Sequence, residues 1–208
     1  KLGAELHEEF AYKLGQAYAT HFSPKKIVVG ADIRLSSEKL KAALISGLTE
    51  SGVGVIDLGM SGTEEVYFAT SLLKADGGIE VTASHNPIDY NGMKLIKENS
   101  KPVSADSGLS AIKEIMKSSS FKVSNTVGKV EQYDCKKDYS QFLLNFIDTT
   151  KIKPLKIVLN AGNGSAGPLL DIIEKDLLAL KVPLEFIKIH HEPNGNFPHG
   201  IPNPLLQD

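Results

Sequence analysis

Gly78-Ile79-Glu80-Val81-Thr82-Ala83-Ser84-His85-Asn86-Pro87 decides how the rest of the chain is read. Gly78 to Thr82 is a short strand-forming run, and the residues after it form a turn, because Pro87 restricts Asn86 to extended geometry. A strand that stops in a turn bearing a hydroxyl, an imidazole and an amide sits where open α/β sheets bind ligands, at the carboxyl ends of strands. Ala83 is small and leaves Ser84 room to meet another molecule, and a hydroxyl on a stiff turn suits acceptance of a phosphoryl group. Composition by itself favours an ordinary β-turn, since Ser, Asn and Pro are all common turn formers.

Upstream, Leu6, Phe10, Leu14, Ala17 and Tyr18 fall at helical spacing over Glu5–His21, and Ser23-Pro24 stops that helix before a strand at Ile27-Val28-Val29-Gly30. Ser36 or Ser37 caps a second helix reaching about Ser51, with Leu40, Leu44, Ile45 and Leu48 on one face, and Val53–Leu58 reads as the next strand. A helix over Glu64–Lys74 leads into the quoted strand. Beyond the turn come a short apolar stretch, Met93–Ile96, and a helix from Asp106 to Met116. This alternation predicts a layered α/β domain.

Between Ser118 and Asn125 the chain turns polar and serine-rich, which predicts a boundary near Val127 and two units, residues 1–127 and 128–208. The second unit reads as a helix from Asp138, a strand Lys156–Asn160, a helix Pro168–Leu180, a strand Leu184–Ile189 and a loop His191–Pro204, part of another α/β domain.

The 23 Lys and Arg nearly cancel the 25 Asp and Glu, with no block of one sign, so neither a nucleic-acid footprint nor a polybasic membrane anchor is expected. Small anionic ligands remain compatible with that balance. A single cysteine, Cys135, excludes an internal disulfide and a cysteine-rich zinc site and fits a reducing compartment. No apolar run approaches the roughly 18 to 20 residues that span a bilayer, and Lys1–Glu9 lacks a signal-peptide core, so a cytoplasmic location is expected.

Thr82 to Pro87, continued by Ile88-Asp89-Tyr90-Asn91-Gly92-Met93-Lys94, resembles the active-site loop of the α-D-phosphohexomutases, in their phosphomannomutase and phosphomannomutase/phosphoglucomutase branch. Gly30-Ala31-Asp32-Ile33-Arg34 and Gly59-Met60-Ser61-Gly62-Thr63 are similar to two further loops of that family, and the likeness extends through Asn194 to Pro204. The resemblance implies a mixed sheet between helices, followed by part of a second similar domain. It implies that Ser84 carries a phosphate, that His85 sits beside it, that Lys94 supplies positive charge or shuttles a proton at the sugar hydroxyl, and that His85, Asn86 and Lys94 contact substrate. Hexose phosphates and a hexose 1,6-bisphosphate are the implied partners. The implied reaction interconverts mannose 6-phosphate and mannose 1-phosphate. Phosphoglucomutase activity, dual specificity and a non-catalytic phosphosugar-binding module are the alternatives.

The family's opening Tyr-Asp-x-Arg-Gly segment, its Asp-Gly-Asp-x-Asp-Arg metal loop and its later sugar-binding domains are not among these 208 residues. The resemblance therefore implies an N-terminal portion that turns over no substrate alone. Its Mg2+ would keep only one ligand here, an oxygen of the Ser84 phosphate.

Three other patterns compete. Gly162-Asn163-Gly164-Ser165-Ala166-Gly167 fits a dinucleotide fingerprint, but the next strand ends Lys188-Ile189-His190-His191 without the acid that would hold a ribose, so the stretch reads as a structural turn. His190 and His191 are adjacent and should point to opposite faces of a strand, which disfavours a metal site with His199. A Ser84–His85 hydrolase is set aside because no nucleophile-elbow motif surrounds the serine. Asp32 and Arg34 flank the same sheet end and are expected to form an ion pair.

Overall fold

A computed structural model of the chain describes residues 1–203. The loop expected over His191–Pro204 is therefore seen as far as Asn203, with Pro204 outside the described residues.

The first unit is built from α1 (Glu8–Phe22), β1 (Lys26–Ala31), α2 (Ser37–Glu50), β2 (Gly54–Met60), α3 (Thr63–Leu72), β3 (Gly77–Val81), β4 (Met93–Lys97), β5 (Lys101–Pro102), α4 (Ser110–Ser118) and β6 (Val130–Gln132). Its six strands lie in the order β5-β4-β3-β1-β2-β6, parallel from β3 to β6, with β4 and β5 antiparallel. This is the mixed sheet that the resemblance implied.

Strand alternation divides the core in two. Ile27, Val29, Ala31, Ile79, Val81 and Leu95 meet α1, α2 and α4 on one face, while Val28, Ile56, Leu58 and Ile96 meet α3 on the other. Helices α1 and α2 approach so closely that a Cβ on Gly47 would stand 2.0 Å from the backbone carbonyl oxygen of Tyr12. Gly47→Ala is thus expected to destabilise the protein by about 1–3 kcal/mol, despite alanine's better helix propensity. A urea-unfolding midpoint equal to wild type would contradict this close packing.

Strand β6 has no counterpart in the sequence reading. Its three residues are exposed and carry no apolar alternation; it forms by pairing with β2, helped by the Gln132 amide donating to Asp57 at 2.9 Å. The expected helix over Asp106–Met116 starts later, at Ser110, after a wide turn over Ala105–Leu109.

The second unit comprises α5 (Lys136–Leu144), β7 (Leu155–Asn160), α6 (Ala166–Ala179) and β8 (Leu184–Ile189), with β7 and β8 in parallel register. Leu155, Val158, Ile187 and Ile189 of this sheet are exposed. Among the described residues no helix is long and apolar enough to cross a membrane.

Candidate active site

Strand β3 delivers Thr82 to the carboxyl end of the sheet, where the Thr82 N–H donates to Gly92 O at 2.9 Å and closes a loop between β3 and β4. At its tip Ser84 is exposed and adopts a left-handed backbone, φ 54°. Non-glycine residues rarely hold that conformation, and where they do the surroundings must enforce it.

Two sets of contacts enforce it here. Beneath the serine, the Ser84 N–H donates to Thr82 Oγ1 at 2.9 Å, and that hydroxyl donates to Asp32 Oδ2 at 2.7 Å. Beside it, Arg34 spends its guanidinium on the loop backbone. Nη2 donates to the carbonyls of Ser84 and Asn86 at 2.9 and 2.6 Å, and Nη1 to those of Pro87 and Tyr90 at 3.0 and 3.1 Å. Asn91 adds a third tie, its amide donating to the Ser36 and Ser37 hydroxyls at 2.8 and 2.9 Å.

The expected Asp32–Arg34 pair exists, at 3.5 Å from Nε, yet it is the lesser part of what Arg34 does. Arg34 is only 4% exposed, and the ring of Phe197, from the loop after β8, covers it at 5.7 Å. The sequence reading missed this clamp. Its signal is the loop itself: carbonyls in a tight turn with no strand partner require donors, and arginine carries five in a fixed fork.

His85 lies beside the serine, with Nδ1 3.4 Å from Ser84 Oγ, a distance too long for strong proton transfer. The Asn86 side chain is exposed. Lys94 emerges from β4 with its ammonium donating to Thr63 Oγ1 at 3.0 Å, at the first turn of α3.

Opposite Lys94 on the neighbouring strand stands Glu80, fully buried. Burial pushes its carboxyl well above the ordinary range; Asp32 and Glu65 push the same way, while the Ser61 hydrogen bond and Lys94 oppose. A carboxyl raised in the folded state contributes its full stability below the unfolded value. That contribution is lost as pH rises, because the unfolded chain gives up the proton more readily. Glu80→Gln is therefore expected to match wild type near pH 4 and to become the more stable of the two as pH rises to 8. Denaturant titrations at the two pH values check this, and a difference independent of pH would contradict it.

The competing patterns are absorbed by structure. In the glycine-rich turn the Asn163 amide donates to Glu192 O at 2.9 Å and Asn163 O accepts from the Asn194 N–H at 2.8 Å, so the loop after β8 packs into it. His191 pairs with Asp171 at 2.8 Å whereas His190 stacks on His199, so the two adjacent imidazoles diverge. Cys135 is buried and its thiol is pushed up to about 12, chiefly by burial.

Comparison with known proteins decides the family. The model described as phosphoglucomutase/phosphomannomutase, alpha/beta/alpha domain I, matches residues 1–123, and that for domain II matches residues 137–208. The chain belongs to the phosphoglucomutase/phosphomannomutase family. Proteins named phosphomannomutase from Salmonella typhimurium and Escherichia coli K12 are 52% and 51% identical to it over 210 residues, covering 100% of this chain and 46% of each relative. A Xanthomonas campestris protein named "Phosphohexose mutases" is 48% identical over 204 residues. A crystal structure of a phosphoglucomutase/phosphomannomutase family protein from Burkholderia thailandensis superposes with a TM-score of 0.84 at 33% identity, covering 98% of this chain and 44% of that one. The chain thus spans about half the length of the curated relatives it matches.

Proposed function

We propose that this chain carries the phosphoserine site of a phosphohexomutase that interconverts mannose 6-phosphate and mannose 1-phosphate. The observation that carries the proposal is the exposed Ser84, held with φ 54° at the carboxyl end of β3 by the Arg34 clamp. The bond between Ser84 Oγ and phosphorus breaks as the phosphoryl group passes to the free hydroxyl of a bound hexose phosphate. The hydroxyl's proton ends on the freed Ser84 Oγ, and the Lys94 ammonium supplies positive charge, or relays that proton, at the sugar hydroxyl. The resulting 1,6-bisphosphate turns over and returns its other phosphate to Ser84. His85 and Asn86, at the rim of the loop, contact the phosphate and the sugar. Phosphoryl transfer of this kind relies on positioning and charge more than on covalent chemistry by the protein.

Relatives named phosphomannomutase support the mannose reading. The family description, phosphoglucomutase/phosphomannomutase, supports a wider second reading, in which glucose phosphates are also converted. Among the described residues no group of three His, Cys, Asp or Glu could hold a metal, so this chain does not by itself fit a magnesium site. Magnesium would contact it only through an oxygen of the Ser84 phosphate. The same reading places the reaction in the cytoplasm, supported by the single buried thiol, Cys135. It divides the chain into two units, residues 1–127 and 128–208, with β6, just past that boundary, pairing into the sheet of the first.

The deciding experiment is intact mass and phosphosite mapping of the full-length protein before and after incubation with mannose 1,6-bisphosphate or glucose 1,6-bisphosphate. Phosphate on Ser84 that exchanges with added sugar phosphate is the expected result. A Ser84 that never carries phosphate would transfer the case to a non-catalytic phosphosugar-binding module.

A further inference from the structure

Glu80 and Lys94 stand directly opposite each other in the antiparallel pairing of β3 with β4. Residues so paired share one face of the sheet, here the face covered by α3, and their side chains are neighbours. Glu80 is fully buried; Oε2 accepts from the Ser61 hydroxyl at 2.9 Å, and Oε1 has no hydrogen-bond partner among the described residues. The sheet makes room for this pair by carrying no side chain at Gly30, where a Cβ would stand 2.0 Å from Ser61 Oγ and 2.6 Å from Glu80 Oε2.

Ser61 opens the turn that leads into α3. Its N–H donates to Ala31 O at 2.9 Å, and the next N–H, of Gly62, donates to the buried Glu65 carboxylate at 2.8 Å. The third residue of the turn is Thr63, whose hydroxyl receives the Lys94 ammonium. Two buried carboxyls thus hold from below the turn on which Lys94 rests from above.

We propose that Glu80 is a positioning residue for Lys94, acting through Ser61 and Thr63 to fix where the ammonium stands at the Ser84 site. The inference rests on the role given to Lys94 in the proposed function. Packing alone does not account for the carboxyl. An apolar side chain of similar volume fills such a place at equal or lower cost, because a buried acid with a bare oxygen surrenders its hydration for one hydrogen bond. An exposed lysine left to itself also samples many rotamers, and a near-attack geometry requires that it not do so.

The test uses the full-length protein. Thr63→Val removes the hydroxyl under Lys94, and Glu80→Met removes the anchor of the turn. Each is expected to lower kcat about 10- to 100-fold with KM little changed. Glu80→Met should not lower the melting temperature, and Glu80→Gln, which keeps an acceptor for Ser61, should recover most of the lost kcat. Combined with Lys94→Ala, Thr63→Val should add no further loss, as expected of residues that act through one another. Should Glu80→Met fail to fold, the half-buried Thr63 carries the test. Wild-type kcat in Thr63→Val and Glu80→Met beside an impaired Lys94→Ala would overturn the inference, as would losses that simply add. Phosphosite mapping of the same samples reports separately on the parent reading, because a phosphate-free Ser84 would sink that reading whatever Thr63 does.

Discussion

Ser84→Ala in the full-length protein is expected to reduce mutase turnover by at least about 10³-fold and to leave no exchangeable phosphate on the loop. The hydroxyl of Thr82, two residues earlier, is no substitute nucleophile: it donates to Asp32 and accepts from the Ser84 N–H, so it is committed to holding the turn. The Ser84 side chain makes no hydrogen bond to the core, only the long contact with His85. Its removal should therefore leave the melting temperature close to wild type. Ser84→Gly adds a useful contrast: it is equally inactive but slightly more stable, because glycine accepts a φ of 54° without strain. Turnover retained in Ser84→Ala, measured by following the two mannose phosphates, would refute the phosphoserine mechanism.

Arg34→Ala should produce the second-largest loss of activity, and with it a large loss of stability. Four backbone carbonyls, those of Ser84, Asn86, Pro87 and Tyr90, would lose their donor together. Leaving four half-buried acceptors without their donor, and Asp32 without its nearest cation, should cost about 2–4 kcal/mol in the unfolding free energy. Activity should fall further than stability explains. Displacing the nucleophile by about 1 Å is enough to cost about 100-fold, and the variant assayed well below its melting point should show that deficit. Arg34→Lys is expected to recover little of it, because one ammonium cannot reproduce a planar fork that serves four carbonyls. Full turnover in a folded Arg34→Ala would show that the loop holds its shape unaided.

The layered α/β architecture and the position of Ser84 were legible from local chemistry. Helical spacing along Phe10–Tyr18 and Leu40–Leu48, runs such as Ile27–Gly30, and the stop imposed by Pro87 all act within one element, and the structure carries each of them, although the first helix starts at Glu8 rather than Glu5 and leaves Leu6 outside it, in a bridge to Leu2. Strand β6 was not legible, since Val130, Glu131 and Gln132 have no pattern of their own and become a strand only against β2.

Site residues divide along the same line. The sequence by itself determined that a serine, a histidine and an asparagine share one turn at a strand's end, because turn chemistry is decided by neighbours along the chain. Only the tertiary structure decided that Arg34, some fifty residues upstream, serves that turn's carbonyls, and that Glu80 sits between Gly30 and Lys94. Those pairings follow from strand register, which fixes partners across the sheet by burying one face of every strand at once.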